Sequence, residues 1–174
     1  MDPARLIFLD ESGAKTNRTR LRGRAPRGQR VLANVPHGHW KTTTMMSSMR
    51  LDGSTACMTL DGATDTESFR AYVQAVLAPA LRPGDMVVMD NLSPHKSDPT
   101  LELIRQAGAQ VMFLPAYSPD LNPIEMMWSK VKNFLRGAEA RTPDELVAAI
   151  GQALKQITPQ DAINWFAHCG YSFC

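Results

Sequence analysis

Met86-Val87-Val88-Met89-Asp90 is a run of four apolar residues closed by an acid. A short unbroken apolar run with polar or turn residues at its ends fits a strand buried on both faces. The form recurs twice: Leu6-Ile7-Phe8-Leu9 ends at Asp10, and Val111-Met112-Phe113-Leu114 ends at Pro115. Between the runs ending at Asp10 and Asp90 lie Thr42 to Met49 and Ser54 to Leu60, separated by Asp52-Gly53, which is a hairpin signal.

Helical patterns alternate with the later runs. Phe69, Val73, Val76 and Ala80 follow helical spacing until Pro83-Gly84. Asp98-Pro99 can open a second helix that Gly108 stops. A third starts near Asn122-Pro123 and carries Ile124, Met127, Trp128, Val131 and Leu135. Thr142 and Glu145 form a capping box before a fourth, and Thr158-Pro159 opens a short last helix presenting Trp165 and Phe166. Strands joined without helices pair antiparallel, and strands joined by helices pair parallel through right-handed crossovers. The expectation is an α/β fold: a mixed five-stranded sheet flanked by helices. There is no internal repeat or low-complexity linker, so residues 1–174 read as one domain.

The composition is that of an ordinary globular protein, with 44% hydrophobic and 21% charged residues. No apolar run approaches the roughly 18 residues of a membrane span. Three cysteines without a Cys-x-x-Cys pair point to a reducing, cytoplasmic setting. His168, Cys169 and Cys174 lack the second ligand pair of a zinc site. No Gly-x-x-x-x-Gly-Lys loop or Gly-x-Ser-x-Gly elbow is present, so neither ATP chemistry nor that type of serine hydrolysis is supported. Net charge is only +2, but Lys15, Arg18, Arg20, Arg22, Arg24, Arg27 and Arg30 form a run with no acid. Gly23, Pro26 and Gly28 make that run a loop, suited equally to a phosphate backbone or to plain solvation.

Asp10 and Asp90 each close a strand, and ligands of open α/β sheets collect at the carboxyl ends of strands. Aspartate is also a common turn former there. Glu125 falls at the third position of a helix capped by Asn122, where a glutamate can reach back to the cap amide. Taken together, the three acids form a set of hard oxygen ligands of the kind that Mg²⁺ requires.

The blocks Leu9-Asp10-Glu11-Ser12-Gly13, Met89-Asp90-Asn91-Leu92-Ser93-Pro94-His95-Lys96 and Leu114-Pro115-Ala116-Tyr117-Ser118-Pro119-Asp120-Leu121-Asn122-Pro123-Ile124-Glu125 resemble the three signature blocks of DDE transposases. The group they look most like is the bacterial insertion-sequence relatives of the mariner superfamily. Thirty-four residues separate Asp90 from Glu125, which matches that superfamily's spacing. The resemblance runs from about Leu6 to Leu135 and implies a ribonuclease H-like fold. It also implies Asp10, Asp90 and Glu125 as ligands of two Mg²⁺ or Mn²⁺ ions, with Asp10 bridging. Water would free 3′ hydroxyls at transposon ends, and those hydroxyls would attack target DNA, at TA dinucleotides and as a homodimer.

Glu11 points to the opposite strand face and is left out of the triad. The DNA contacts expected are Arg18, Arg20, Arg22, Arg24, Arg27, Arg30, His95, Lys96, Lys130 and Lys132. For His95 a capping role, and for Lys130 and Lys132 a solvated helix face, are the plain alternatives. Asn91 would orient Asp90 or form a turn, and Tyr117 would stack on a base or pack over the sheet edge. The family carries helix-turn-helix domains before its first aspartate, and none is expected ahead of Asp10. An N-terminal DNA-binding partner or a frameshift fusion would supply them. The residues alone leave two other functions open: a ribonuclease H-like nuclease, and a non-catalytic DNA-binding transposase derivative.

Overall fold

The computed structural model describes residues 2–171 except 21, 33, 35 and 37–41, so Cys174 lies outside the described residues. Five strands form one sheet in the order β3-β2-β1-β4-β5. Strand β1 (Leu6–Lys15) pairs antiparallel with β2 (Thr42–Arg50), and β2 pairs antiparallel with β3 (Thr55–Asp61). On its other edge β1 pairs parallel with β4 (Met86–Met89), which pairs parallel with β5 (Gln110–Phe113). The mixed sheet read from the sequence is therefore present. At the β2–β3 turn Gly53 has φ +80°, and an added Cβ would meet the Thr158 and Pro159 backbone at 3.0 Å. Both facts require glycine there.

One expectation is corrected. Strand β1 does not end at Asp10 but continues to Lys15. Only Leu6, Ile7 and Phe8 have a β4 partner, whereas Ile7 through Lys15 pair with β2. The apolar run stops because the sheet opens on the β4 side, not because the strand stops. Asp10 stands at that opening.

Side chains alternate along the strands and sort into two cores. Leu6, Phe8 and Val88 face α4 (Ile124–Ala138), α5 (Pro143–Leu154) and α6 (Pro159–His168). Ile7, Leu9, Val87 and Met89 face α1 (Thr66–Tyr72) and α3 (Asp98–Gln106). A π-turn, Val73–Leu77, joins α1 to the short α2 (Ala78–Ala80), with the Ala78 amide donating to the Val73 carbonyl. Phe8, Trp128 and Phe166 are almost fully buried, each worth about 1.5–3 kcal/mol in removed apolar surface. Phe8 and Phe166 meet edge to face with centroids 5.1 Å apart.

The capping boxes at the start of α5 and α6 are both formed, the first by Thr142 with Glu145 and the second by Thr158 with Asp161. At the end of β2, the buried Arg50 guanidinium donates to both carboxylate oxygens of Asp85 and to the Ala80 carbonyl. That pairing ties the hairpin to the segment leading into β4. Among the described residues no helix is long and apolar enough to cross a membrane.

Candidate active site

Asp10, Asp90 and Glu125 line one cavity of about 380 Å³ at the carboxyl end of β4. Each comes from a different element. Asp10 lies on β1, on the same strand face as Leu6 and Phe8, and so turns toward α4. Asp90 follows the last residue of β4, and Glu125 is in the first turn of α4.

Two of the three carboxylates are held by specific donors. The Trp128 indole Nε1 donates to Asp10 Oδ2 at 3.1 Å. Burial pushes the Asp10 carboxyl up to about 7, and the charges of Glu125 and Asp90 add to it, against the Glu11 amide and the Trp128 indole. Asp90 Oδ1 accepts from the Leu92 amide at 3.0 Å and from His95 Nδ1 at 2.7 Å. Burial would raise the Asp90 carboxyl, but those bonds and the charges of His95 and Lys96 hold it below the usual carboxylate range.

His95 is itself clamped. Its side chain is 1% exposed, its Nε2 lies 3.4 Å from Glu11 Oε1, and its ring packs on Phe69 with centroids 4.3 Å apart. Burial would lower the imidazole, but the hydrogen bonds and charges of Asp90 and Glu11 outweigh it and raise it to about 9. Charged, it can donate from both ring nitrogens. His95 therefore joins Glu11 to Asp90 beneath the cavity.

Glu125 makes no capping bond, contrary to the local alternative, and α4 starts at Ile124 with Pro123 rather than Asn122 as its cap. The Asn122 side-chain oxygen is buried without a hydrogen-bond partner among the described residues, and Asn122 is one of the residues around the same cavity. Three carboxylates and an orphaned amide oxygen make an all-oxygen donor set suited to Mg²⁺ or Mn²⁺. As placed, among the described residues no group of three or more His, Cys, Asp or Glu side chains is gathered closely enough to hold an ion. Like charges in a partly buried cavity repel. Here Asp10 is turned to Trp128 and Asp90 to His95, while Glu125 is exposed and has no capping bond to hold it in place.

The expected DNA contacts divide. Arg20, Arg22, Arg24, Arg27, Arg30 and Lys96 are exposed, and Arg18 and Lys132 are half-buried. His95 is a correction: its burial between Asp90 and Glu11 keeps it from reaching a phosphate. Lys130 is half-buried, its ammonium donating to Asp161 at 2.6 Å and to the Gln156 carbonyl at 2.9 Å. Asn91 donates to the Leu114 carbonyl, tying the ends of β4 and β5 together rather than bonding Asp90. Tyr117 does not pack over the sheet edge: it is fully exposed at the cavity wall, with φ +58°.

Sequence reasoning missed Trp128 as a donor and Glu11 as a support. Trp128 follows Glu125 by three positions, a spacing that puts both on one side of a helix. For Glu11 the only signal was its parity along β1.

Residues 5–147 match the model of a family described as DDE superfamily endonuclease. The Transposable element Tcb1 transposase of Caenorhabditis briggsae is 34% identical over 68 residues, 39% of this chain and 25% of that protein. The human (Homo sapiens) Histone-lysine N-methyltransferase SETMAR is 39% identical over 62 residues, 35% of this chain and 9% of that protein. The crystal structure of the Mos1 strand transfer complex matches with a TM-score of 0.73 at 16% identity, covering 95% of this chain and 51% of that one. The likeness to Mos1 is one of fold, and it places the sheet and helices in the ribonuclease H-like class. The match spans about half of the Mos1 chain and a quarter or less of the two curated relatives.

Proposed function

The chain belongs to the DDE superfamily endonucleases, and on that premise we propose that it is the catalytic domain of a DNA transposase, cutting and joining DNA strands by metal-dependent phosphoryl transfer. The observation that carries this reading is the arrival of Asp10, Asp90 and Glu125 from three separate elements in one cavity.

In this reading Asp10, Asp90 and Glu125 would hold a pair of Mg²⁺ or Mn²⁺ ions, which would supply activation of the attacking oxygen and stabilisation of the leaving oxygen. The protein's own part is preorganisation. Trp128 fixes Asp10 on rigid β1, and His95, anchored by Glu11, fixes Asp90 at the end of β4. Supporting contacts of this kind keep reacting groups within a fraction of an ångström of their working positions. Lys96, exposed beside Asp90, is placed to meet phosphate charge. Tyr117 presents an aromatic face on which a base can stack. The arginine loop after β1 meets the phosphate backbone. The resemblance adds a TA target and a homodimer on paired ends as parts of the same proposal.

The test is strand transfer of pre-cut DNA ends into plasmid in Mn²⁺ or Mg²⁺, with Asp90→Ala in parallel. Joined product from the parent and none from the variant supports the reading. Cleavage without joining would mark a plain nuclease. Equal nicking by both proteins would remove these carboxylates from the chemistry.

A further inference from the structure

The basic loop and the far end of α4 enclose a second concavity, away from the carboxylates. Its volume is about 860 Å³, and Arg20, Arg22 and Arg136 line it together with Asn133 and Gln152. Among the described residues no acidic side chain lines it. Arg18 stands against the same helix end. Its guanidinium donates to the Gly13 carbonyl at 2.8 Å, while its Nε has no partner among the described residues. Burial, then the charge of Arg136 beside it, makes that guanidinium easier to deprotonate than usual. Arg20 lies across Gly137, where an added Cβ would sit 3.2 Å from its Nη2. Glycine at this helix position lets the guanidinium lie against the backbone. Among the described residues none of these four arginines forms an ion pair with a carboxylate, whereas Arg50, Arg105 and Arg141 each do. Like charges gathered without a counter-acid repel, and a bound anion relieves that repulsion.

The concavity is connected to the carboxylate cavity by one face of α4. Glu125, Ser129 and Asn133 are exposed, at intervals of four, and Arg136 follows three residues on. Residues so spaced stack along one side of a helix. Ser129, Asn133 and Arg136 also line a shallow surface adjoining the arginine concavity, together with Met126, Trp165 and the Lys130–Asp161 pair. From Glu125 to Arg136 the helix rises about 16 Å at 1.5 Å per residue. That is about five nucleotides of one strand at roughly 3.4 Å each.

We infer that this face of α4 is a track for the backbone of duplex DNA, ending in a phosphate clamp of Arg20, Arg22 and Arg136 about five nucleotides from the phosphate at the carboxylates. The position of the reacting phosphate rests on the transposase reading, whereas the clamp itself rests on the arginine groove.

The experiment measures binding of a fluorescent duplex to the full chain by anisotropy across a salt series, without divalent metal. It compares the parent, Arg136→Gln, the triple variant Arg20→Gln/Arg22→Gln/Arg136→Gln, and Arg105→Gln on α3 as a control. Each phosphate left without its arginine should lower the slope of log K against log salt by about 1, so the slope should fall by about two to three in the triple variant and not at all in the control. Phosphate-ethylation interference on the parent reads the same phosphates without any substitution, and should show a cluster about five nucleotides from the cleavage point. An unchanged slope in the folded triple variant, or no ethylation-sensitive cluster anywhere on the duplex, overturns the clamp whatever the activity. A reduced slope in a chain that never joins DNA keeps the clamp and counts against the transposase reading alone.

Discussion

The indole of Trp128 and the carboxylate of Asp10 meet at 3.1 Å although 118 positions separate them in the chain. The bond crosses from α4 to β1, so the helix that carries Glu125 also orients the aspartate opposite it. Trp128→Phe keeps most of the buried bulk but removes the donor. Stability should fall by about 1 kcal/mol from the missing hydrogen bond. Mn²⁺-dependent plasmid nicking should fall by about 10–100-fold, the usual cost of removing such a supporting group. Thermal unfolding and nicking rates measured together check this, and full activity in a folded variant would mean the bond does not position Asp10.

His95 ties Asp90 to Glu11, and this makes Glu11 matter although it lies outside the cavity lining. Glu11→Gln keeps the shape and removes the charge. The Mn²⁺ concentration needed to raise the unfolding temperature should rise by about 10–100-fold, with a parallel shift in the Mn²⁺ dependence of nicking. Replacing the exposed Glu102 by Gln should change neither. A Glu11→Gln protein with the parent's Mn²⁺ dependence would sever Glu11 from the site.

Asp85 and Arg50 are 4% and 7% exposed and bonded to each other. Asp85→Asn leaves the Arg50 charge buried without its counterpart and should cost about 3–5 kcal/mol, read from urea unfolding at pH 7. Burial alone would raise the Asp85 carboxyl, but the Arg50 hydrogen bonds, the Arg82 amide and the two guanidinium charges hold it below the ordinary range. A carboxyl lowered on folding stabilises the protein above its unfolded value of about 3.9, and the contribution is lost as pH falls through the folded value. The gap between parent and Asp85→Asn should therefore be constant from neutral pH to about 5 and shrink below about 4. A gap that stayed level down to pH 3 would locate the energy elsewhere.

Tyr117 is fully exposed with φ +58°, a conformation that non-glycine residues adopt at a cost. Tyr117→Gly should therefore stabilise the protein by up to about 1 kcal/mol. Affinity for a substrate with an unpaired base at the cleavage point should fall by about 1–3 kcal/mol per stacked base. Calorimetric unfolding and anisotropy with matched and frayed duplexes separate the two effects. If binding were unaffected, the aromatic ring would have no part in holding DNA.

Local features of this protein were legible without tertiary information. The Thr142–Glu145 box, the Asp52-Gly53 turn and the start of α3 at Asp98 all depend on residues a few positions apart. The length of β1 was not legible, because its polar half is held only by β2, a partner supplied by a distant segment. His95 looked like an exposed loop residue because nothing nearby in sequence shows that Phe69 and Glu11 close over it. Lys130 looked free because its partner, Asp161, lies on another helix.

By itself, the order of apolar runs, turns and caps determined a mixed sheet with helices on both faces, and the three acid-bearing blocks marked Asp10, Asp90 and Glu125. Those signals are carried by periodicity and short-range bonding, which a linear chain displays directly. Folding alone decided which donors hold the acids, that Glu125 is left uncapped, and that four arginines converge at the far end of α4. Burial and charge proximity depend on which distant segments pack together, and no local pattern encodes that.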